Sequence, residues 1–317
     1  MNKNFMNEGI ETILLNLGNL KRNEKLCIIS DKKTKKIGNL FYEFAKQHNY
    51  NVIHLNIEPF KIHGEEPPKN VADIMKFCNL TLGLTNQSMV HTKARKNAEK
   101  LGNRFLSLPD YSLEILKHPS LQINFKKLSK KALMLSYKFT KANTIQITTK
   151  KGTKLYFAIN ERKGNFSPGF VNKKILLGSP PDIETNVCPL EKSANGVIVV
   201  DGSIPIPKIG LLKNPIILHV KNGKLVHIEG KPSLVKFLNQ LFNKYGDKSR
   251  ILAECGVGFN NKAKLCGNML IDEGTYGTIH FGFGSNITIG GLNKVNFHLD
   301  FVLYANKMNI DGQIIHL

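Results

Sequence analysis

The sequence predicts an α/β amino-terminal domain with an open, mostly parallel sheet of Rossmann-like wiring, followed by a β-rich carboxy-terminal domain. Three observations indicate this architecture. The 317 residues are enough for two domains with separate cores. Roughly the first 140 residues alternate apolar strands with amphipathic helices, and the remainder is mostly short strands broken by glycine, proline and asparagine. We therefore predict one domain over residues 1–142 and a second over residues 143–317.

The first domain reads as four strands separated by helices. Short apolar runs predict strands at residues 25–30, 51–56, 80–84 and 104–108. Helical patterns are predicted at residues 34–48, from residue 71 onward, and from a polar cap at residues 85–88 to residue 100, with Gly102 ending the last helix. The turn after the first strand has no glycine fingerprint, so a dinucleotide site is not indicated.

The pattern changes after a lysine-rich helix predicted at residues 124–138. Alternating residues predict a hairpin whose strands, residues 144–149 and 156–160, flank the turn Lys151-Gly152. One more helix is predicted at residues 233–245. Most of the remaining sequence consists of strand-like segments, which indicates a β-rich domain.

Composition excludes several classes of protein. The chain carries 45 lysines and arginines against 24 acidic residues, a net charge of +21, but only five of the 45 are arginine. Proteins that bind phosphates and bases depend on the planar guanidinium group of arginine. Because arginine is scarce here, we do not predict a nucleic-acid partner. No apolar run approaches the roughly 18 residues of a membrane span, and the amino terminus lacks a signal-peptide pattern. We therefore predict a cytoplasmic protein without a membrane partner.

Three strand-like segments, residues 253–259, 278–284 and 297–301, each combine an apolar side with a side that bears ligand-type groups. Because side chains alternate along a strand, Glu254 shares its face with two glycines, and so does His280. His298 and Asp300 likewise share one face of the third segment. Glycines on a polar face leave open space, so the pattern predicts a cavity floored by these four groups.

Imidazole and carboxylate ligands of this kind suit zinc, cobalt, manganese or iron. Four or five such groups, two of them carboxylates that can bridge, are enough to hold two ions. The five scattered cysteines never form a CxxC motif, which argues against a cysteine-built zinc site. The β-rich domain is therefore predicted to carry a divalent-metal centre.

Four motifs together resemble the aminopeptidase T/aminopeptidase S family of metallo-aminopeptidases. They lie at residues 180–189, 253–258, 272–284 and 290–300. The resemblance extends to the first domain at residues 88–92 and 102–104, so it spans nearly the whole chain. It implies an α/β first domain beside a centre of two divalent ions (zinc, cobalt or manganese), and it implies homodimers.

The resemblance also implies an activity, the removal of amino-terminal residues from a peptide substrate. The implied metal ligands are Glu184, Glu254, His280, His298 and Asp300. Glu254 or Asp300 would bridge the ions, and Glu273 is the candidate general base. The chain departs from the peptidases at Ile287, where they have a tyrosine seven residues after the histidine that corresponds to His280.

Two alternatives remain open at the level of sequence. The chain also resembles, more distantly, an iron-dependent ring-cleaving dioxygenase of the same superfamily that acts on a dihydroxypyridine. In that case His280, His298 and Asp300 would hold one iron as a two-histidine, one-carboxylate face. The second alternative is a metal-binding relative without catalytic activity, whose ion would have a closed set of protein ligands.

Overall fold

A computed structural model describes residues 3–317 of the chain. The α-helices are α1 (Lys3–Glu11), α2 (Lys35–Gln47), α3 (Lys69–Met75), α4 (Lys93–Glu99), α5 (Leu113–Leu116), α6 (Phe125–Lys141), α7 (Pro232–Tyr245) and α8 (Met269–Asp272). The strands are β1 (Lys25–Asp31), β2 (Asn51–Ile57), β3 (Leu80–Leu84), β4 (Arg104–Ser107), β5 (Thr144–Thr148), β6 (Lys154–Ala158), β7 (Asn165–Ser167), β8 (Leu177–Gly178), β9 (Glu184–Val187), β10 (Asn195–Val200), β11 (Ser203–Ile204), β12 (Gly210–Leu211), β13 (Ile216–Lys221), β14 (Lys224–Glu229), β15 (Leu252–Gly258), β16 (Thr278–Gly284), β17 (His298–Tyr304), β18 (Lys307–Ile310) and β19 (Gln313–His316).

The first part of the chain forms the predicted parallel sheet, with strand order β2-β1-β3-β4-β8. Its central strand β3 is buried along its whole length, as expected for a parallel strand covered on both faces. The predicted cap at residues 85–88 is wrong, because α4 begins later and is capped by Thr92, whose hydroxyl accepts a hydrogen bond from Arg95 N at 3.2 Å. The Thr85 hydroxyl instead donates to Gln87 O at 2.6 Å and holds the preceding loop.

The remainder forms two seven-stranded sheets. One has the order β14-β13-β10-β6-β5-β18-β19, and it contains the predicted hairpin between β5 and β6. The other has the order β12-β11-β17-β16-β15-β9-β7. It contains the three ligand-bearing segments as the adjacent antiparallel strands β15, β16 and β17.

The apolar side of this second sheet packs into an aromatic core. The ring of Phe281 lies edge-on to Phe157 of the other sheet, with 6.4 Å between ring centroids. Phe242 of α7 contacts Phe283 and Phe301 at 6.3 and 6.4 Å. Since these phenylalanines take one side of β16 and β17, the polar residues between them must lie on the other side.

The chain divides differently from the predicted boundary at residue 142. One compact unit comprises Met1–Phe125 and Ser167–Pro181, and the other comprises Lys126–Phe166 and Asp182–Leu317. Helix α6 belongs to the second unit, where the Thr185 hydroxyl donates to Ala132 O at 2.8 Å. Residues 167–181 belong to the first unit because β8 pairs in parallel with β4 and extends its sheet. Within residues 3–317, no helix combines the length and apolar character needed to cross a membrane.

Candidate metal centre

The predicted ligands lie on one face of four neighbouring strands. Glu184 is carried by β9, Glu254 by β15, His280 by β16, and His298 with Asp300 by β17. Residues directly opposite each other on paired strands share a face, and every one of these ligands has a glycine opposite it. The pairs are Glu184 with Gly258, Glu254 with Gly282, His280 with Gly256, His298 with Gly284, and Asp300 with Gly282.

Two of these glycines, Gly256 and Gly282, accommodate the histidine ligands. A Cβ atom on Gly256 would lie 2.0 Å from Nε2 of His280, and one on Gly282 would lie 2.4 Å from Nε2 of His298. Each imidazole therefore lies over the backbone of the neighbouring strand, where only a residue without a side chain leaves room. The space predicted beside the glycines exists, but it is filled by the histidine rings.

The five ligands form two groups that share Glu254. In the first, Nε2 of His280 lies 3.2 Å from Oε2 of Glu184 and 3.6 Å from Oε1 of Glu254. In the second, Nε2 of His298 lies 3.3 Å from Oε2 of Glu254 and 3.2 Å from Oδ1 of Asp300. Within each group all the ligand atoms lie within 4.8 Å of one another.

We call Glu184, Glu254 and His280 the buried group, and Glu254, His298 and Asp300 the exposed group. The His280 side chain is 1% exposed, whereas that of His298 is 32% exposed. The combination of His280, His298 and Asp300, predicted for a single iron, is not one of the groups that converge in the described chain. In the exposed group, Glu254 is the residue that lies beside His298 and Asp300, where this prediction had His280.

Electrostatics in the centre couple the histidines to the carboxylates. Burial alone would lower the pKa of His280, but Glu184 and Glu254 outweigh it and hold that pKa well above its ordinary value. Burial likewise opposes charge on His298, yet Asp300 and Glu254 raise its pKa well above the ordinary range. The pKa of Glu254 is lowered, because its two imidazole partners overcome the effect of burial. In the metal-free protein the two imidazoles thus lie against the carboxylates of the centre.

The donor set fits a divalent metal ion. Oε2 of Glu184 is buried and makes no hydrogen bond, although it faces Nε2 of His280. An unsatisfied buried carboxylate oxygen is costly, and a cation at this position would satisfy it. Nδ1 of His298 lies 2.9 Å from Ser285 O. Because a carbonyl only accepts, Nδ1 keeps its proton and Nε2 is the atom available to a metal.

Glu273 follows directly on α8 and lies within reach of the charges of the centre. Burial raises its pKa well above the ordinary value, and the charge of Asp300 raises it further.

The neighbouring Asp272 has a structural role. It is fully buried and accepts hydrogen bonds from Ser203 Oγ at 2.5 Å, Cys266 N at 2.7 Å and Gly267 N at 2.9 Å. Asp272 therefore anchors a loop.

Sequence reasoning missed the side chains that hold Glu184. Nδ2 of Asn186 donates to Oε1 of Glu184 at 2.9 Å, and Asn165 contacts Asn186 in turn. Asn186 could have been found from its place two residues after Glu184, which puts both on one face of β9.

Ile287, the position at which the peptidases have a tyrosine, lies in a 3₁₀ turn, Ile287–Ile289, and is 46% exposed.

Comparisons with known proteins give a family and a fold. A family model described as NicX, 2,5-dihydroxypyridine 5,6-dioxygenase, matches residues 11–316. The structure is similar to that of 2,5-dihydroxypyridine dioxygenase from Pseudomonas putida KT2440, with a TM-score of 0.80 and 17% identity over 98% of this chain and 95% of that one. It is also similar to wild-type AmpT from Thermus thermophilus, with a TM-score of 0.68 and 13% identity over 99% and 98% of the two chains. No curated protein matches the chain by sequence.

These matches confirm part of the sequence analysis and correct another part. The match to AmpT supports the predicted fold. The prediction of a hydrolase is wrong, because the family model that matches residues 11–316 is that of a dioxygenase. The same kinds of ligand serve both reactions, so the ligand pattern alone could not separate them.

Proposed function

The chain belongs to the NicX 2,5-dihydroxypyridine 5,6-dioxygenase family, and we propose that it is an iron-dependent dioxygenase that opens the ring of a dihydroxylated pyridine or a related aromatic compound. The observation that carries this proposal is the exposed group, in which two buried carboxylates converge on the partly exposed imidazole of His298. Nitrogen and oxygen ligands of this kind suit divalent iron, and a centre with open positions is what oxygen chemistry requires.

The overall reaction balances without a further reductant. One carbon–carbon bond of the ring breaks, and both atoms of O₂ enter the product. The ring is oxidised and O₂ is reduced. Bound iron would supply coordination positions for the substrate and the redox chemistry for its reaction with oxygen.

We assign the holding of this iron to Glu254, His298 and Asp300. The 32% exposure of His298 supports this choice over the buried group, because substrate and oxygen must reach the ion. Glu184 and His280 then support Glu254 from the buried side. Nε2 of His280 lies beside Oε1 of Glu254, while Oε2 of Glu254 faces His298. We propose that the buried group offers a place for a second divalent ion.

We assign proton transfer to Glu273. A dihydroxylated ring binds a metal ion best after losing a hydroxyl proton, and that proton needs an acceptor. Glu273 is the carboxyl group beside the centre whose pKa burial and the charge of Asp300 raise, which favours it as the group that accepts and returns this proton. This replaces the water-activating task that a hydrolase would give the same residue.

The test is oxygen uptake by protein loaded anaerobically with Fe(II). We expect consumption of one O₂ per molecule of 2,5-dihydroxypyridine or of a related dihydroxylated aromatic compound, and loss of uptake in His298→Ala. Zinc-loaded protein serves as the inactive control. No oxygen uptake from protein with verified iron content, on any compound of such a panel, would contradict the proposal.

Assembly is a separate proposal. The family resemblance implies a homodimer, and β19 lies at the free edge of its sheet with Ile314 59% exposed. Exposed edge strands invite pairing with another chain. We propose a homodimer, for which light scattering should give twice the chain mass of 35.6 kDa. A mass equal to that of one chain would contradict it.

A further inference from the structure

A chain of side-chain amides leads from a surface turn to the buried group. Nδ2 of Asn165 donates to the carbonyl oxygen of Ile289 at 3.1 Å and to Oδ1 of Asn186 at 2.9 Å. Nδ2 of Asn186 donates in turn to Oε1 of Glu184 at 2.9 Å. All four residues belong to the second compact unit, and Asn186 is 8% exposed.

The order of donors and acceptors in this chain has one solution. Oε1 of Glu184 accepts in this contact, so the Asn186 atom that faces it is the NH₂ group. The Asn186 oxygen then faces Asn165, which must present its own NH₂ group. The carbonyl of Ile289 accepts the second hydrogen of that NH₂ group and fixes the orientation of the Asn165 amide.

This arrangement gives the two oxygens of Glu184 different tasks. Oε1 is held by Asn186, whereas Oε2 lies 3.2 Å from Nε2 of His280, buried and without a hydrogen bond. From this geometry we infer that Asn186 is a positioning residue of the metal centre, which turns Oε2 of Glu184 towards an ion held by the buried group. The inference rests on the proposed metal centre and not on the reaction it catalyses.

A residue that only satisfied a buried carboxylate would have the same hydrogen bonds, so stability alone cannot test this inference. What distinguishes a positioning role is the coordination of the metal. If Asn186 is lost, Glu184 can rotate and its Oε2 atom no longer has a fixed place. The bound ion should then be held more weakly and in a different ligand field.

The experiment is a titration of chelator-treated protein with Co²⁺, followed by visible absorption. In Asn186→Ala and in the isosteric Asn186→Asp we expect cobalt affinity to fall by about 10- to 100-fold, with a changed absorption spectrum. Glu184→Gln should show a loss of similar size. Cobalt binding with wild-type affinity and an unchanged spectrum in the folded Asn186→Ala variant would overturn the inference.

Asn103→Ala is the matched control. Asn103 is 1% exposed in the first compact unit, and its Nδ2 donates to Met75 O and Cys78 O. We expect a lower unfolding temperature with unchanged cobalt affinity and spectrum. If this control weakened cobalt binding as much as Asn186→Ala does, general loss of stability would explain both results and the inference would fail.

A double-mutant cycle tests whether Asn186 acts through Glu184. In the Glu184→Gln background, Asn186→Ala should change cobalt affinity by less than about twofold, because the carboxylate it positions is already gone. An undiminished effect in that background would show that Asn186 acts by another route and would overturn the inference. Since cobalt alone is the probe, failure of ring cleavage leaves this result unaffected.

Discussion

The two ligand groups share Glu254, but their surroundings differ. In the buried group, His280 is 1% exposed, and Nδ1 of its ring has no hydrogen-bond partner within the described protein. In the exposed group, His298 is 32% exposed and its Nδ1 is held by the backbone carbonyl of Ser285. The buried ring is thus held by packing, and the exposed ring is held by a hydrogen bond.

This difference indicates that the two groups have different roles within one centre. Packing keeps a ring in place only where no solvent reaches it, so the buried group sets the geometry of Glu254. A hydrogen-bonded ring can stay oriented while one side of it remains open. The exposed group is therefore the one where a substrate can approach, and the variants below separate the two groups.

The largest effect is expected for Glu254→Gln, because it removes the carboxylate that both groups share. The imidazoles of His280 and His298 lose their common carboxylate partner, which should lower the free energy of unfolding of the metal-free protein by about 3–5 kcal/mol. Metal analysis should show loss of bound ions as well. Retention of wild-type metal content would show that Glu254 is not a ligand.

Glu229→Gln is the control for that variant. Glu229 also pairs with a histidine, His219, but both side chains are well exposed. Exposed pairs contribute about 0–1 kcal/mol, so this variant should unfold almost like the wild type.

The next effect concerns Glu273, whose pKa is raised by burial and by the charge of Asp300 in the exposed group. Glu273→Gln resembles the protonated acid in shape but cannot accept a proton. We expect kcat for ring cleavage to fall by about 10²-fold or more while metal content stays unchanged. Turnover at the wild-type rate would remove Glu273 from the reaction.

A pair of glycine variants compares the two imidazoles directly. In Gly256→Ala the new methyl group meets the ring of His280, which is buried and cannot move aside, so we expect a loss of about 1–3 kcal/mol of stability. In Gly282→Ala the partly exposed His298 can swing outward, which spares stability but weakens metal binding. Denaturant unfolding and cobalt titration measure the two effects. Equal stability losses would contradict the proposed difference.

The smallest effect is the dependence of stability on pH. The folded-state pKa of both His280 and His298 lies above the unfolded value of about 6.5. In the metal-free protein their contribution to stability is therefore complete below that pH and is lost as pH rises through the raised values. A metal ion competes with these protons, so the loaded protein should gain stability over the metal-free one as pH rises. Parallel melting curves between pH 6 and 9 would contradict this.

Much of the exposed group could be predicted from the sequence alone. Period-two alternation put Glu254, His280, His298 and Asp300 on the polar sides of their strands, because the phenylalanines between them had to face a core. Alternation does not report distances across strands, however. It therefore could not show that Glu254, rather than His280, joins His298 and Asp300.

Other features were out of reach for physical reasons. Glu184 lies in a strand of only four residues, too short for a periodic signal, and was identified through the family resemblance alone. The unit boundary depends on the parallel pairing of β8 with β4, a contact far apart in the sequence. The contact between Asn165 and Asn186 spans 21 residues and has no sequence pattern.

The most direct test of the proposed function is the fate of the two oxygen atoms of ¹⁸O₂. Iron-loaded protein would react with 2,5-dihydroxypyridine in ordinary water under ¹⁸O₂, and mass spectrometry would measure the product at once. We expect a ring-opened product that carries two ¹⁸O atoms, and none from His298→Ala. A product with one ¹⁸O atom or none, or no product from protein of verified iron content, would contradict a ring-cleaving dioxygenase.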